Sequence, residues 1–144
     1  MEKKYKLTEE TLAVDGHVLH RIIALRDFGG VKKGDLGGFI EKESNLAHDW
    51  NCWIYNDAVV RGNAEVYGDA KVCDNAKVEK KSDYIVFKNW WSSGRYFTWT
   101  RSNDMWSVGC FYCTGEELIK KAYADSEEKG REYARIVKYV KSIK

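Results

Sequence analysis

Between Ala58 and Val78 the chain repeats itself every six residues. Alanine recurs at Ala58, Ala64, Ala70 and Ala76, and valine follows two places later at Val60, Val66, Val72 and Val78. Turn formers stand between them, as Gly62-Asn63, Gly68-Asp69 and Asp74-Asn75. Such a period is too long for one alternating strand and out of phase with a helix. It fits a β-helix, in which a short strand runs along each side of a coil and a turn forms each corner. On that reading the small Ala and the β-branched Val point inward and stack on equivalents in the next coil. Gly, Asn and Asp supply corners, where positive φ is common.

Carried backward, the same phase reaches Cys52, Leu46 and Ile40. Residues 35–80 therefore read as roughly two to three coils of about eighteen residues each. So short a solenoid needs caps. Upstream, residues 5–28 read as a β-hairpin turning at Asp15-Gly16. The glycines that follow (Gly29, Gly30, Gly34, Gly37 and Gly38) match neither a Walker loop nor a dinucleotide fingerprint and read as a tight lead-in to the repeat. The repeat breaks at Glu79-Lys80-Lys81-Ser82. Beyond it, Tyr84–Lys88, Arg95–Arg101 and Trp106–Tyr112 read as three strands. Thr114-Gly115-Glu116-Glu117 is a capping box opening a helix. A last helix is expected after Gly130, with Tyr133, Ile136, Val137 and Val140 on its buried stripe. The expected class is β-rich α+β in three parts. Residues 1–34 form an N-terminal β-hairpin and Gly-rich cap, 35–80 a short hexapeptide-like β-helix, and 81–144 a C-terminal β-β-β-α-α recognition domain.

Composition narrows the function classes. Lys and Arg number 24 against 22 Asp and Glu, a net charge of +2, which does not suit a nucleic-acid coat. No apolar run is long enough to span a bilayer, and Met1–Lys6 leads into no apolar signal core, so a cytoplasmic protein without membrane association is expected. Four cysteines occur, at Cys52, Cys73, Cys110 and Cys113. Cys110 and Cys113 form a C-x-x-C, but no second ligand pair lies near it in sequence. They read as reduced, structural thiols; no metal and no cofactor are expected.

The segment from Gly34-Asp35-Leu36-Gly37-Gly38-Phe39-Ile40-Glu41 through Asn45-Leu46 to Trp53-Ile54-Tyr55, running into the hexads, resembles polymer-forming, hexapeptide-like β-helix proteins of bacteria, phages and prophages. The tail from Ser93-Gly94-Arg95-Tyr96 through Met105–Phe111 to Glu117-Leu118-Ile119 resembles a small domain that accompanies such repeats in phage-like proteins. The resemblance implies a left-handed coil and a homo-oligomer. It also implies a protein that acts by binding a host factor, in the host cytoplasm if phage-encoded. Inhibition of a bacterial defence system is then the expected role, through a host protein or by trapping a nucleotide ligand. A self-assembling structural protein and a hexapeptide-type acyltransferase relative are the alternatives.

For the acyltransferase alternative the candidate base is His48, in the first coil; His17 lies beside the hairpin turn and His20 on its return strand. For ligand capture, Trp90, Trp91 and Trp99 offer flat rings, Arg95 and Arg101 offer cations, and Thr114-Gly115 opens a helix N-terminus toward an anion. Alternation puts Arg95, Phe97 and Trp99 on one face of a strand, so Arg95 and an exposed Trp are the expected anchors. The competing reading makes these aromatics a core. Arg131, Arg135, Lys138 and Lys141 share one face of the last helix, which reads as a solvated charged face. The main reading is a binding protein with no catalytic residue.

Overall fold

A computed structural model describes residues 3–108 and 111–144. Strands β1 (Tyr5–Val14) and β2 (His17–Ala24) form an antiparallel hairpin across Asp15-Gly16. Strand β3 (Leu36–Ile40) pairs antiparallel with β2, and two short strands, β5 (Val59–Val60) and β7 (Lys77–Val78), continue parallel to it. Strands β4 (Trp53–Ile54) and β6 (Lys71–Val72) pair only with each other. Strands β8 (Tyr84–Lys88), β9 (Tyr96–Thr100), β10 (Met105–Val108) and β11 (Phe111–Cys113) make an antiparallel meander. Helices α1 (Gly115–Asp125) and α2 (Glu127–Ile143) close the chain.

This corrects the expected architecture. Residues 35–80 do not build a short β-helix. The described residues form three separate sheets, of five strands (β1-β2-β3-β5-β7), four (β11-β10-β9-β8) and two (β4-β6), with no closed or solenoid sheet. The hairpin strands are the first two of the five-stranded sheet. Asn56, Gly62, Gly68 and Asp74, all at positive φ, cut the repeat into strands two residues long. Leu46 and Val66 meet only through an isolated bridge. The fold is a mixed, sheet-rich α+β assembly.

The C-terminal β-β-β-α-α expectation is corrected as well, to four strands and two helices. The stretch read as one strand, Trp106–Tyr112, contains two that pair back, with Trp106 opposite Cys113. That pairing puts both buried side chains against the helices, which one alternating strand of that length could not do. Gly130 does not precede α2 but lies inside it, buried against the Tyr123 ring where no Cβ fits.

The hexad positions supply the first core. Ala58, Ala64, Ala70 and Ala76, with Val60, Val66, Val72 and Val78, are all buried alongside Ile40, Leu46, Cys52 and Trp53. Gly37 and Gly38 explain part of the glycine-rich stretch: a Cβ on Gly37 would sit 2.7 Å from the Ile54 carbonyl oxygen, and one on Gly38 would strike that of Ala58. The second core is aromatic, with Phe97, Trp99 and Trp106 packed against Leu118, Tyr133 and Val137 of the helices. The other face of β9 meets the short strands. Lys71 of β6 donates its N–H to Thr98 Oγ1 at 3.0 Å, and Lys77 of β7 donates to Ser102 Oγ at 2.7 Å. A side chain of β9 and one of the β9–β10 turn thus cap two strand edges that would otherwise lie open.

Candidate functional site

The ligand-capture residues expected from sequence do not converge. Trp99 is fully buried and donates from Nε1 to Asp104 Oδ1 at 2.8 Å. Arg101 lies over the Trp99 ring and donates to the Ser82 carbonyl oxygen. Trp91 is half-buried edge-on to Tyr133. Trp90 is exposed, and Arg95 borders a different concavity beside Lys121 and Tyr133. Thr114 is used as a cap: its Oγ1 accepts from Glu117 N, and its own N–H donates to Glu117 Oε1. Gly115 packs against Val137 and Trp106. Cys110 of the C-x-x-C lies outside the described residues. Burial pushes the Cys113 thiol up to about 11, so it is protonated at neutral pH.

His48, the candidate base, is a structural histidine. Its Nδ1 accepts the Lys4 backbone N–H at 3.0 Å, and its ring stacks on Tyr5 with centroids 4.2 Å apart. A neutral ring that accepts at Nδ1 carries its proton on Nε2, so no lone pair remains to take another. Nε2 is itself buried without a partner among the described residues. Burial lowers the His48 pKa, Lys3, Lys4 and Arg26 add to this, and Glu43 opposes it. A histidine lowered in the folded state is protonated more readily in the unfolded chain. Its contribution to stability is complete above the ordinary value of 6.5 and is lost as pH falls through the folded value. Acidification from about pH 7 to pH 5 should therefore destabilise the protein. His48→Phe, which keeps a ring on Tyr5, should flatten that dependence while lowering stability throughout. Equal loss of stability between pH 7 and pH 5 for the two proteins, measured by denaturant titration at each pH, would show that His48 is not buried in its neutral form.

The structure instead assembles a site around His17, at the tip of the hairpin. His17 Nδ1 lies 2.6 Å from Glu41 Oε2, and the other carboxylate oxygen accepts the Gly62 N–H at 2.8 Å. The Gly62 hydrogen bond, and then His17, hold the Glu41 carboxyl below its usual range. Buried Asn45 locks the arrangement. Its Oδ1 accepts from the backbones of Glu41 and Lys42, and its Nδ2 donates to the carbonyls of Gly62 and Ala64. Glu41 is thus aimed from both sides. It holds the half-exposed His17 ring at Nδ1, and Nε2 makes no hydrogen bond among the described residues. Beside Gly62 runs an open groove of about 630 Å³ bordered by Arg61, Glu79, Lys80 and Lys81. Arg61 ties it to the hairpin tip through Asp15 at 3.1 Å and Glu79 at 3.0 Å. Sequence reading placed His17 beside the turn but had no means of finding Glu41, twenty-four residues away.

Among the described residues no group of three or more His, Cys, Asp or Glu is placed to hold a metal ion. None of the described helices is long and apolar enough to cross a membrane.

No family model matches the chain. Over 79 residues it is 39% identical to a protein of Escherichia coli (strain K12) named "Uncharacterized acetyltransferase YdcK", a match covering 49% of this chain and 24% of that protein. The chain thus spans about a quarter of that relative's length. This likeness favours the acyltransferase alternative over the binding-protein reading.

Proposed function

We propose that this chain takes part in acyl transfer from a thioester donor to a hydroxyl or amine, with His17 as general base and Glu41 as its positioning residue. The observation that carries this is the His17–Glu41–Gly62 chain of hydrogen bonds, which holds the imidazole at Nδ1 and leaves Nε2 to meet a substrate. His17 Nε2 takes the proton of the attacking group as its oxygen or nitrogen bonds to the acyl carbon. The carbon–sulfur bond then breaks, and the same proton passes to the departing thiolate, giving a free thiol and an ester or amide. Lys80 and Lys81 border the adjacent groove and suit the phosphates of a coenzyme A thioester. The acetyltransferase name of the partial relative supports the reaction class.

The test is thiol release from acetyl-coenzyme A, assayed against a panel of amine and hydroxyl acceptors. His17→Gln should lower kcat by roughly 10²–10⁴-fold. Glu41→Gln should lower it less than His17→Gln, because the single amide oxygen cannot accept from both the Gly62 N–H and His17 Nδ1 and the ring loses its fixed orientation. Turnover unchanged in His17→Gln, or no turnover with any acceptor, would sink this reading.

A further inference from the structure

A second concavity, of about 560 Å³, is walled by Trp50, Tyr67, Tyr84 and Tyr96. That volume lies within the usual range of small-molecule sites, about 300–1,000 Å³. Its rings come from four separate segments and are costly as they stand. Trp50, Tyr67 and Tyr96 are 64%, 56% and 44% exposed, so three of the chain's largest apolar side chains gather in water at one cleft. Trp50 also sits at φ 61°, a left-handed conformation that a bulky side chain rarely adopts, with its carbonyl oxygen accepting from the Lys4 ammonium at 3.3 Å. Strain of this kind concentrates at ligand sites. Only Tyr84 is fixed inward, its hydroxyl donating to the Glu65 carbonyl oxygen.

The charges at the cleft are unspent. Lys81 and Asp69 border it, and neither has an ion pair among the described residues. Outside the lining, Lys88 Nζ lies 6.0 Å from the Tyr96 ring centroid. Lys81 offers a cation to an anionic group, flat aromatic walls favour a planar ring, and Asp69 offers an acceptor for hydroxyls. We propose that this cleft binds a mononucleotide-like ligand: a planar heteroaromatic ring stacked on the exposed aromatic wall, with an anionic group held by Lys81. The inference does not rest on acyl transfer. The aromatic walls are not part of the His17–Glu41 arrangement, and only Lys81 borders both concavities.

Calorimetric titration with AMP tests it, alongside adenosine, ribose 5-phosphate and maltotriose as probes of ring, anion and sugar. AMP should bind more tightly than either half of itself. Trp50→Ala should weaken AMP by about ten-fold, the scale of one lost base–aromatic stack, and Trp50→Phe should restore most of it. Lys81→Gln should weaken AMP but not adenosine. Each variant changes an exposed residue, and its melting temperature should match the parent's. His17→Gln should bind AMP as the parent does. No AMP binding at millimolar concentration would overturn the proposal, as would equal affinity in Trp50→Ala, adenosine binding as tightly as AMP, or maltotriose filling the cleft instead. Loss of AMP binding in His17→Gln would also overturn it, by placing AMP in the groove beside Glu41.

Discussion

Val66→Asp should unfold the protein under conditions where the parent is fully folded. Val66 is completely buried, bridged to Leu46 and flanked by Ala64 and Cys52 in the first core. Its N–H and carbonyl are already used, by the Asn45 carbonyl and the Ala47 N–H, both at 2.9 Å. A carboxylate there finds apolar side chains and no free donor. It must stay charged without a partner or take up a proton, and either route costs several kcal/mol. Against a total stability of about 5–15 kcal/mol for a domain of ordinary size, a loss of about 4 kcal/mol or more leaves little. Thermal melts followed by circular dichroism provide the measurement. Glu65→Ala, one residue away and exposed, is the control and should stay within about 0.5 kcal/mol of the parent. An unchanged melting temperature for Val66→Asp would mean that Val66 faces solvent.

The same region shows what spacing can and cannot reveal. Each Ala and Val of the hexad is buried, because a side chain's facing depends on local backbone period, and period is written in consecutive residues. Which strands share a sheet depends on ladder partners. Here those partners lie far apart: Phe39 opposite Val59, Val59 opposite Lys77, Trp53 opposite Lys71. Strands two residues long carry almost no pairing signal of their own, so one regular repeat was divided between two sheets. The hairpin was legible from Asp15-Gly16, but its antiparallel join to β3, with His20 opposite Ile40, was not.

The site followed the same logic. Local features read correctly, including the Thr114 capping box and the position of His17 beside a turn. What makes His17 chemically interesting is its contact with Glu41 and, through it, Gly62. Trp50, Tyr67 and Tyr96 likewise meet only in the fold. Phe97, Trp99 and Trp106 of β9 and β10 make a core, whereas Trp50 and Tyr67 reach the cleft from the repeat region, seventeen residues apart in sequence.

Trp99 is where that misdirection has its largest measurable consequence. Read as an exposed anchor, its loss would weaken binding and leave the fold intact. In the structure it has no exposed surface, packs beside Trp106, and donates its indole N–H to Asp104, which also holds Lys144 at 2.6 Å. Trp99→Ala therefore removes the largest class of side chain from the centre of the second core and leaves a cavity that β9 and β10, paired there through Trp99 and Trp106, cannot collapse to fill. The expected cost is about 3–5 kcal/mol, comparable to Val66→Asp and far above the effect of a surface change. Trp99→Phe should recover part of this, since it restores most of the ring but leaves Asp104 without the indole donor. Trp90→Ala, which truncates an indole 71% exposed to solvent, should move stability by no more than about 0.5 kcal/mol. Denaturant melts of the three variants decide the matter: if Trp99→Ala is as stable as Trp90→Ala, the aromatic cluster is a surface and not the core that joins the second sheet to the helices.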